Sequence, residues 1–303
     1  MRQVIENKNL IWVDINEPTE EDIKYIKDNF PIHELTLKTI IPSIHHPDLD
    51  VFENYISIIL HYPRNADGQN VQIYELDIIV GKNYLITSHY NQIRPLSFIL
   101  EECLASETKK QEYMGRGTDA LLFYILNKFL KRILEKTDEI GENVDSIEKM
   151  IFIEREREMV KKISYLKKRI LSFWRAIDPQ DEIFYSLKVV GVNFFGLESK
   201  HYFSILSRIN KRIDSSLITY KETIESLEET NHILVNLKMN EVIKILTVFS
   251  VVMLPLTLLA SVWGMNTNFL PFADKVFDFW LIMGLMFVTL FIMLGYFRLK
   301  KWL

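Results

Sequence analysis

The stretch "SVWGMNTNFLPF" (residues 261–272) separates two apolar runs, and whether those runs cross a bilayer decides the fold. Residues 245–273 hold no Asp, Glu, Lys or Arg over 29 positions, and residues 279–297 hold none over 19. A span of the roughly 30 Å hydrocarbon core takes about 20 apolar residues, whereas a run of about 10–14 suggests a buried helix. Helices in soluble cores also keep a polar face, and these runs show little of one. The sequence therefore predicts membrane spans at 242–262 and 276–297. The overall composition, 48% hydrophobic and 25% charged, hides this asymmetry because most of the charge sits in the first 240 positions.

The opening "MRQVIENKNLIWVD" is too polar for a secretory signal, so the N-terminal part is expected in the cytosol. Two spans return the chain to the same side. The tail "RLKKWL" places Arg298, Lys300 and Lys301 directly after the second span, while the connecting loop holds only Lys275. An excess of Lys and Arg marks the cytoplasmic side, which predicts a plasma (inner) membrane protein with both termini cytoplasmic. Cys103 is the single cysteine, which excludes an intrachain disulfide and fits a reducing compartment. A net charge of −4 gives no sign of a nucleic-acid partner.

Residues 1–115 read as an α/β domain with a largely antiparallel sheet. "NLIWVDINEP" has the pattern of a strand entering a turn, and "TEEDIKYIKDNF" that of a helix opened by Thr19 with acids in its first turn. "VFENYISIILHYP", "NVQIYELDIIVG" and "KNYLITSHY" are strands by their β-branched and aromatic content and by the turn residues between them. From 116 to 196 apolar residues recur at spacings of three and four, predicting a cytosolic helical hairpin that ends before Asp178-Pro179. Positions 197–254 are 58 residues without Gly or Pro. One helix of that length runs about 87 Å, so 197–262 is expected to be a cytosolic stalk continuing into the first span. An isolated helix has too little to bury against, so several chains should bundle. The remainder divides into an extracellular loop (263–275), the second span (276–298) and a basic cytosolic tail (299–303).

Polar residues of the first span share one arc. Taking about 100° per residue with Asn240 as zero, Asn240, Thr247, Ser250, Thr257 and Ser261 fall at about 0, −20, −80, −100 and −60°, and Gly264 at about −120°. Ile243, Leu246 and Leu254 lie in the same arc. Such a stripe serves either helix packing in lipid or a water-lined path. Two helices cannot enclose a path alone, so the second reading requires several protomers around an axis.

Gly264-Met265-Asn266 at the end of the first of two C-terminal spans, preceded by "MLPLTLLASVW", resembles the mark of the CorA-type magnesium transporters. Trp263 stands where that family usually has Tyr. "WVDINEPTEEDI", "FPIHELTLKTI", "HHPDLDVFENYISIIL", "GKNYLITSH", "GTDALLFYIL" and "NEVIKILT" are similar to its cytosolic and membrane-entry signatures, so the resemblance extends over nearly the whole chain. It implies an α+β cytosolic domain, a long stalk helix and two transmembrane helices, assembled as a funnel-shaped homopentameric channel. It also implies passive influx of Mg²⁺, the transported ion and a candidate regulatory ligand, with no cofactor; Co²⁺ and Ni²⁺, similar in hydrated size, could also pass.

By the same resemblance Gly264, Met265 and Asn266 form the outer-mouth ion site and Asn240 and Thr257 are polar rings. Leu246 and Leu254 are apolar constrictions joined by Ile243, and Lys300 and Lys301 lie at the inner mouth. Five Asn266 amides would offer neutral oxygens to the water shell of an ion that dehydrates reluctantly. Two departures stand out. The family's sensing Asp early on the stalk falls on Ile205, and the loop "TNFLPFADK" has no acid before Asp274. The cytosolic sensor ligands are therefore unassigned, with Asp214, Glu222, Glu225, Glu228 and Glu229 as substitutes or plain surface charge.

Two other readings are open. A zinc or other divalent-cation transporter of this fold is disfavoured by Met265 and by the histidines: His45-His46 lies in a loop, and His33-Glu34 has Leu37 where a second His would be needed. A membrane-anchored helical scaffold without transport would make Asn266 replaceable. No nucleophile and base can be paired, and Gly115-Arg116-Gly117 lacks the P-loop spacing, so an enzyme is not expected.

Overall fold

The structure, a computed structural model, describes residues 1–40, 45–66, 70–153, 156–265 and 278–302. Six strands form one sheet in the order β1-β2-β6-β5-β4-β3. They are β1 (Arg2–Asn7), β2 (Leu10–Asn16), β3 (Asp48–Val51), β4 (Tyr55–Ala66), β5 (Asn70–Gly81) and β6 (Tyr84–His89). Every neighbouring pair is antiparallel except β2 and β6, which run parallel with Val13 opposite Ile86. All six residues of β6 are buried, as a central strand covered on both faces requires.

On one face, Val13, Ile15, Ile79 and Ile86 pack under α1 (Glu20–Asn29) and α2 (Glu34–Thr39) through Ile26, Phe30, Leu37 and Ile40. Thr19 opens α1 as a reciprocal cap: its hydroxyl accepts from the Asp22 N–H, and the Asp22 carboxylate accepts from the Thr19 N–H at 3.1 Å. This satisfies two of the orphan donors of the first turn. On the other face, Trp12, Leu60, Leu76, Ile78 and Leu85 are fully buried. There Trp12 donates to Thr87 at 3.1 Å and Thr87 to Asp14, which links these three buried side chains.

After β6 come α3 (Arg94–Ala105) and α4 (Glu107–Met114), then α5 (Thr118–Met150), α6 (Glu156–Ile177), α7 (Gln180–Phe195), α8 (Ser199–Trp263) and α9 (Asp278–Leu299). The helix α7 is additional to the two-helix hairpin expected over 116–196. The strands β1 and β3 are likewise additional to those read from the sequence, whereas β2 falls within the expected "NLIWVDINEP".

The chain divides into two compact units, Met1–Glu228 and Glu229–Leu303. Within the first, α8 meets α5 where a Cβ on Gly141 would lie 2.4 Å from the Tyr220 hydroxyl, so only glycine allows that approach. Lys221 lies over the Trp174 ring of α6 at 4.8 Å, and Lys167 of α6 pairs with Glu228 at 2.7 Å. In the second unit, the later part of α8 and all of α9 are long and apolar enough to cross a membrane. Their most apolar stretches are only 11% and 0% buried, unlike core helices of a soluble protein.

Candidate functional site

The second unit positions the candidate site. Val248 and Val252 of α8 pack with Phe297, Leu290 and Met293 of α9, with Leu256 against the same cluster. On the wheel with Asn240 at zero, Val248, Val252 and Leu256 lie at about 80, 120 and 160°, opposite the polar arc centred at about −60°. Val248 and Val252 are 5% and 7% exposed; Ile243, Leu246 and Leu254 on the polar arc are 53%, 62% and 69% exposed, and Val242, Ile245 and Phe249 away from it are exposed as well. Ser250, Thr257 and Ser261 are exposed, Asn240 is exposed, and Thr247 is half-buried. The helix therefore turns one side to α9 and leaves its slightly polar side uncovered within the chain.

The threonines of that side are arranged in one way. Thr247 donates its hydroxyl to the Ile243 carbonyl and Thr257 donates to the Met253 carbonyl, both at 2.8 Å. With its proton committed to the helix, each oxygen presents only lone pairs outward. Pro255 has no N–H, so the Val251 carbonyl loses its usual donor one turn ahead. Val251 falls at about 20°, at the edge of the polar arc. These are acceptor groups, and the outward hydrogens of a hydrated cation need acceptors.

At its C-terminal end α8 closes with Gly264 donating to the Ala260 carbonyl at 2.9 Å and Met265 to the Val262 carbonyl at 3.4 Å. A Cβ at Gly264 would stand 3.0 Å from the Ala260 oxygen, tighter than most side chains tolerate against backbone. Gly264 and Met265 are exposed. Asn266 and most of the expected 263–275 loop lie outside the described residues. At the other end, Lys300 and Lys301 are exposed, and neither ammonium has an ion-pair partner among the described residues. The Lys301 carbonyl accepts from Lys244 Nζ at 2.8 Å, and the Trp302 ring lies 5.9 Å from Phe297. Lys244 was not a candidate from sequence, although as the last charge before the apolar run it was visible there. Its contact ties the start of the first span to the end of α9, where a cation suits the helix's negative end.

The acids of the first unit take ordinary places. Glu225 and Glu228 sit 4.0 and 2.7 Å from Lys167, and burial beside Asp178 and Asp181 raises the Asp214 carboxyl above its ordinary range. Ile205 lies in α8. His33 caps α2, its Nδ1 accepting from the Leu35 N–H at 3.2 Å, and His45 Nδ1 lies 3.3 Å from Glu75. Among the described residues no group of three or more His, Cys, Asp or Glu is arranged to hold a metal ion.

Comparison with known proteins converges on one family. The sequence profile of the family described as "CorA-like Mg2+ transporter protein" matches residues 7–301. The chain is 25% identical over 298 residues to the cobalt/magnesium transport protein CorA of Methanocaldococcus jannaschii, covering 98% of this chain and 93% of that one. It is 24% identical over 296 residues to the cobalt/magnesium transport protein CorA of Thermotoga maritima, covering 96% and 83%. The complete structure of the CorA magnesium transporter from M. jannaschii superposes with a TM-score of 0.85 at 25% identity, over 99% of this chain and 93% of that one. With two membrane-crossing helices at its C-terminal end and this match across its length, the chain belongs to the CorA-like Mg²⁺ transporter family of divalent metal transporters.

Proposed function

We propose that the chain is a homopentameric channel that carries Mg²⁺ passively into the cytoplasm across the plasma membrane, with both termini cytoplasmic. The observation that supports this most is the opposition of faces on α8: the apolar side is covered by α9 and the acceptor-bearing side is uncovered. Five such sides around an axis make a path with rings at Asn240, Thr247, Ser250, Thr257 and Ser261. Gly264, Met265 and Asn266 form the outer mouth, where carbonyls and amides receive the hydrated ion. Mg²⁺ keeps its waters, whose hydrogens point outward, so rings of lone pairs suit it better than carboxylates. The proton-committed hydroxyls of Thr247 and Thr257 have the right polarity.

A divalent ion gains about 4.6 kcal/mol per 100 mV of inside-negative potential, at about 2.3 per charge, so entry needs no ATP. Closure is the harder task. Rings of Ile243, Leu246 and Leu254 exclude water when narrow and open when wetted. Lys300 and Lys301, exposed and without carboxylate partners among the described residues, place positive charge at the inner mouth, where it opposes cation flow. Co²⁺ and Ni²⁺ share the path. Cytosolic Mg²⁺ regulates it through ligands other than Ile205.

The test is flux into proteoliposomes carrying an internal Mg²⁺ dye under an imposed potential. Uptake should rise with inside-negative potential without nucleotide and should collapse in Asn266→Ala, and cross-linking in the bilayer should give a pentamer. Full uptake in Asn266→Ala, or a monomer in the bilayer, would sink the reading. Zn²⁺ uptake exceeding Mg²⁺ uptake would move the protein to the zinc alternative.

A further inference from the structure

Away from the membrane helices, the first unit holds a cavity of about 560 Å³ whose charge the transport path does not use. Four cations line it: Arg64 from β4, Arg94 from the first turn of α3, and Arg132 and Lys136 from one face of α5. Glu101 is the single carboxylate in the wall. Arg132 donates to Glu135 and Lys136 to Glu139, both at 2.6 Å, and those acids are 61% and 46% exposed. Exposed pairs of this kind are weak and leave donors free for a ligand. Arg64 and Arg94 are exposed and have no carboxylate partner among the described residues; Arg64 donates only to the Tyr74 hydroxyl, at 3.3 Å.

α3 follows β6, and its first turn brings Arg94 to the cavity. Ser97 adds a hydroxyl from the same first turn.

We infer that this cavity is a binding site for a linear polyphosphate, the phosphate chain of a nucleoside triphosphate or of inorganic polyphosphate. Three guanidiniums converge here, and a guanidinium fork matches phosphate oxygens two at a time, which a chloride or a single carboxylate cannot exploit. The volume falls within the range of pockets that enclose ligands of nucleotide size. Such ligands also chelate Mg²⁺, so occupancy would tell the protein about the anions that compete for its ion.

The experiment is titration calorimetry on the detergent-solubilised full chain in Mg²⁺-free buffer, with sodium tripolyphosphate, ATP and AMP. Tripolyphosphate should bind saturably, one per chain, more weakly as salt rises, and AMP should bind at least about tenfold more weakly. ATP tighter than tripolyphosphate identifies the nucleotide, and equal or weaker ATP identifies the inorganic chain. Arg64→Gln with Arg94→Gln should weaken binding at least about tenfold without moving the melting temperature of the free protein, since both side chains are exposed. Lys188→Gln with Lys211→Gln, on a separate groove formed by α7 and α8, should change it less than about twofold. Absence of saturable tripolyphosphate binding at millimolar concentration, or equal weakening by both pairs, would overturn the assignment. Heat of binding is read without ion flux, so this result stands apart from that of the transport assay.

Discussion

Cysteine substitution on α8 tests the two-faced first span directly, and the native chain is well prepared for it. Cys103 is 3% exposed and burial pushes its thiol up to about 11. At about pH 7.5 roughly one such thiol in 3,000 is ionised, against about one in eleven for a free thiol near 8.5, a ratio of about 300 before access is considered. The native background is therefore slow. Ser250→Cys, Leu254→Cys and Thr257→Cys place a thiol on the uncovered side, and Val248→Cys, Val252→Cys and Leu256→Cys place it against α9. In proteoliposomes, a cationic thiol reagent should label the first group at least about tenfold faster than the second, because thiolates form only where water reaches them. Mg²⁺ uptake should fall in step with labelling. Equal labelling of the two faces, or labelling of Ser250→Cys no faster than of Cys103, would refute a water-lined arc.

The first unit supplies further tests. Asp77 is 5% exposed, one carboxylate oxygen has no hydrogen-bond partner among the described residues, and burial, with Glu75 adding, holds its carboxyl well above the usual range. A carboxyl raised in the folded state destabilises the fold as pH rises above its unfolded value, so Asp77→Asn should stabilise by about 1–3 kcal/mol at pH 8. The gain should vanish near pH 4, and a thermal melt showing no gain at pH 8 would contradict it. His61 has the opposite sign: burial lowers its pKa, so its contribution is complete above about 6.5 and is lost as pH falls through the folded value. His61→Gln should flatten the decline of melting temperature below about pH 6.5. A Cβ on Gly191 would lie 2.2 Å from Cε2 of Phe203, which is fully buried and cannot retreat. Gly191→Ala should cost about 1–3 kcal/mol in chemical denaturation of the first unit, and a neutral result would show that α7 and α8 can separate there.

Much of this was legible in the sequence because it is periodic. The uncharged runs give the membrane helices by length, and a wheel at about 100° per residue is enough to place Thr247, Ser250 and Thr257 on one side of α8. Thr19 and Asp22 announce the cap of α1 at a fixed spacing. The helix α7 was not legible: "QDEIFYSLKVVGVNFF" is rich in β-branched and aromatic residues and contains Gly191, features that suggest a strand or a break. It is helical through tertiary packing, with the ring of Phe203 filling the space that a side chain at 191 would occupy. β1 alternates in burial, but its residues Arg2, Gln3, Val4, Ile5, Glu6 and Asn7 do not alternate polar with apolar, so this edge strand leaves no period-two pattern in the sequence.

The sequence by itself determined which segments are apolar enough for lipid, where the stalk runs unbroken, and that Gly264, Met265 and Asn266 sit between the spans. These properties are carried by neighbours along the chain. The tertiary structure alone decided that α9 covers the Val248 and Val252 side of α8, that β2 and β6 run parallel, and that Arg64, Arg94, Arg132 and Lys136 line one cavity. The physical reason is that periodicity fixes which residues share a face, while the partner of that face is chosen by packing between segments far apart in sequence, which no local pattern records.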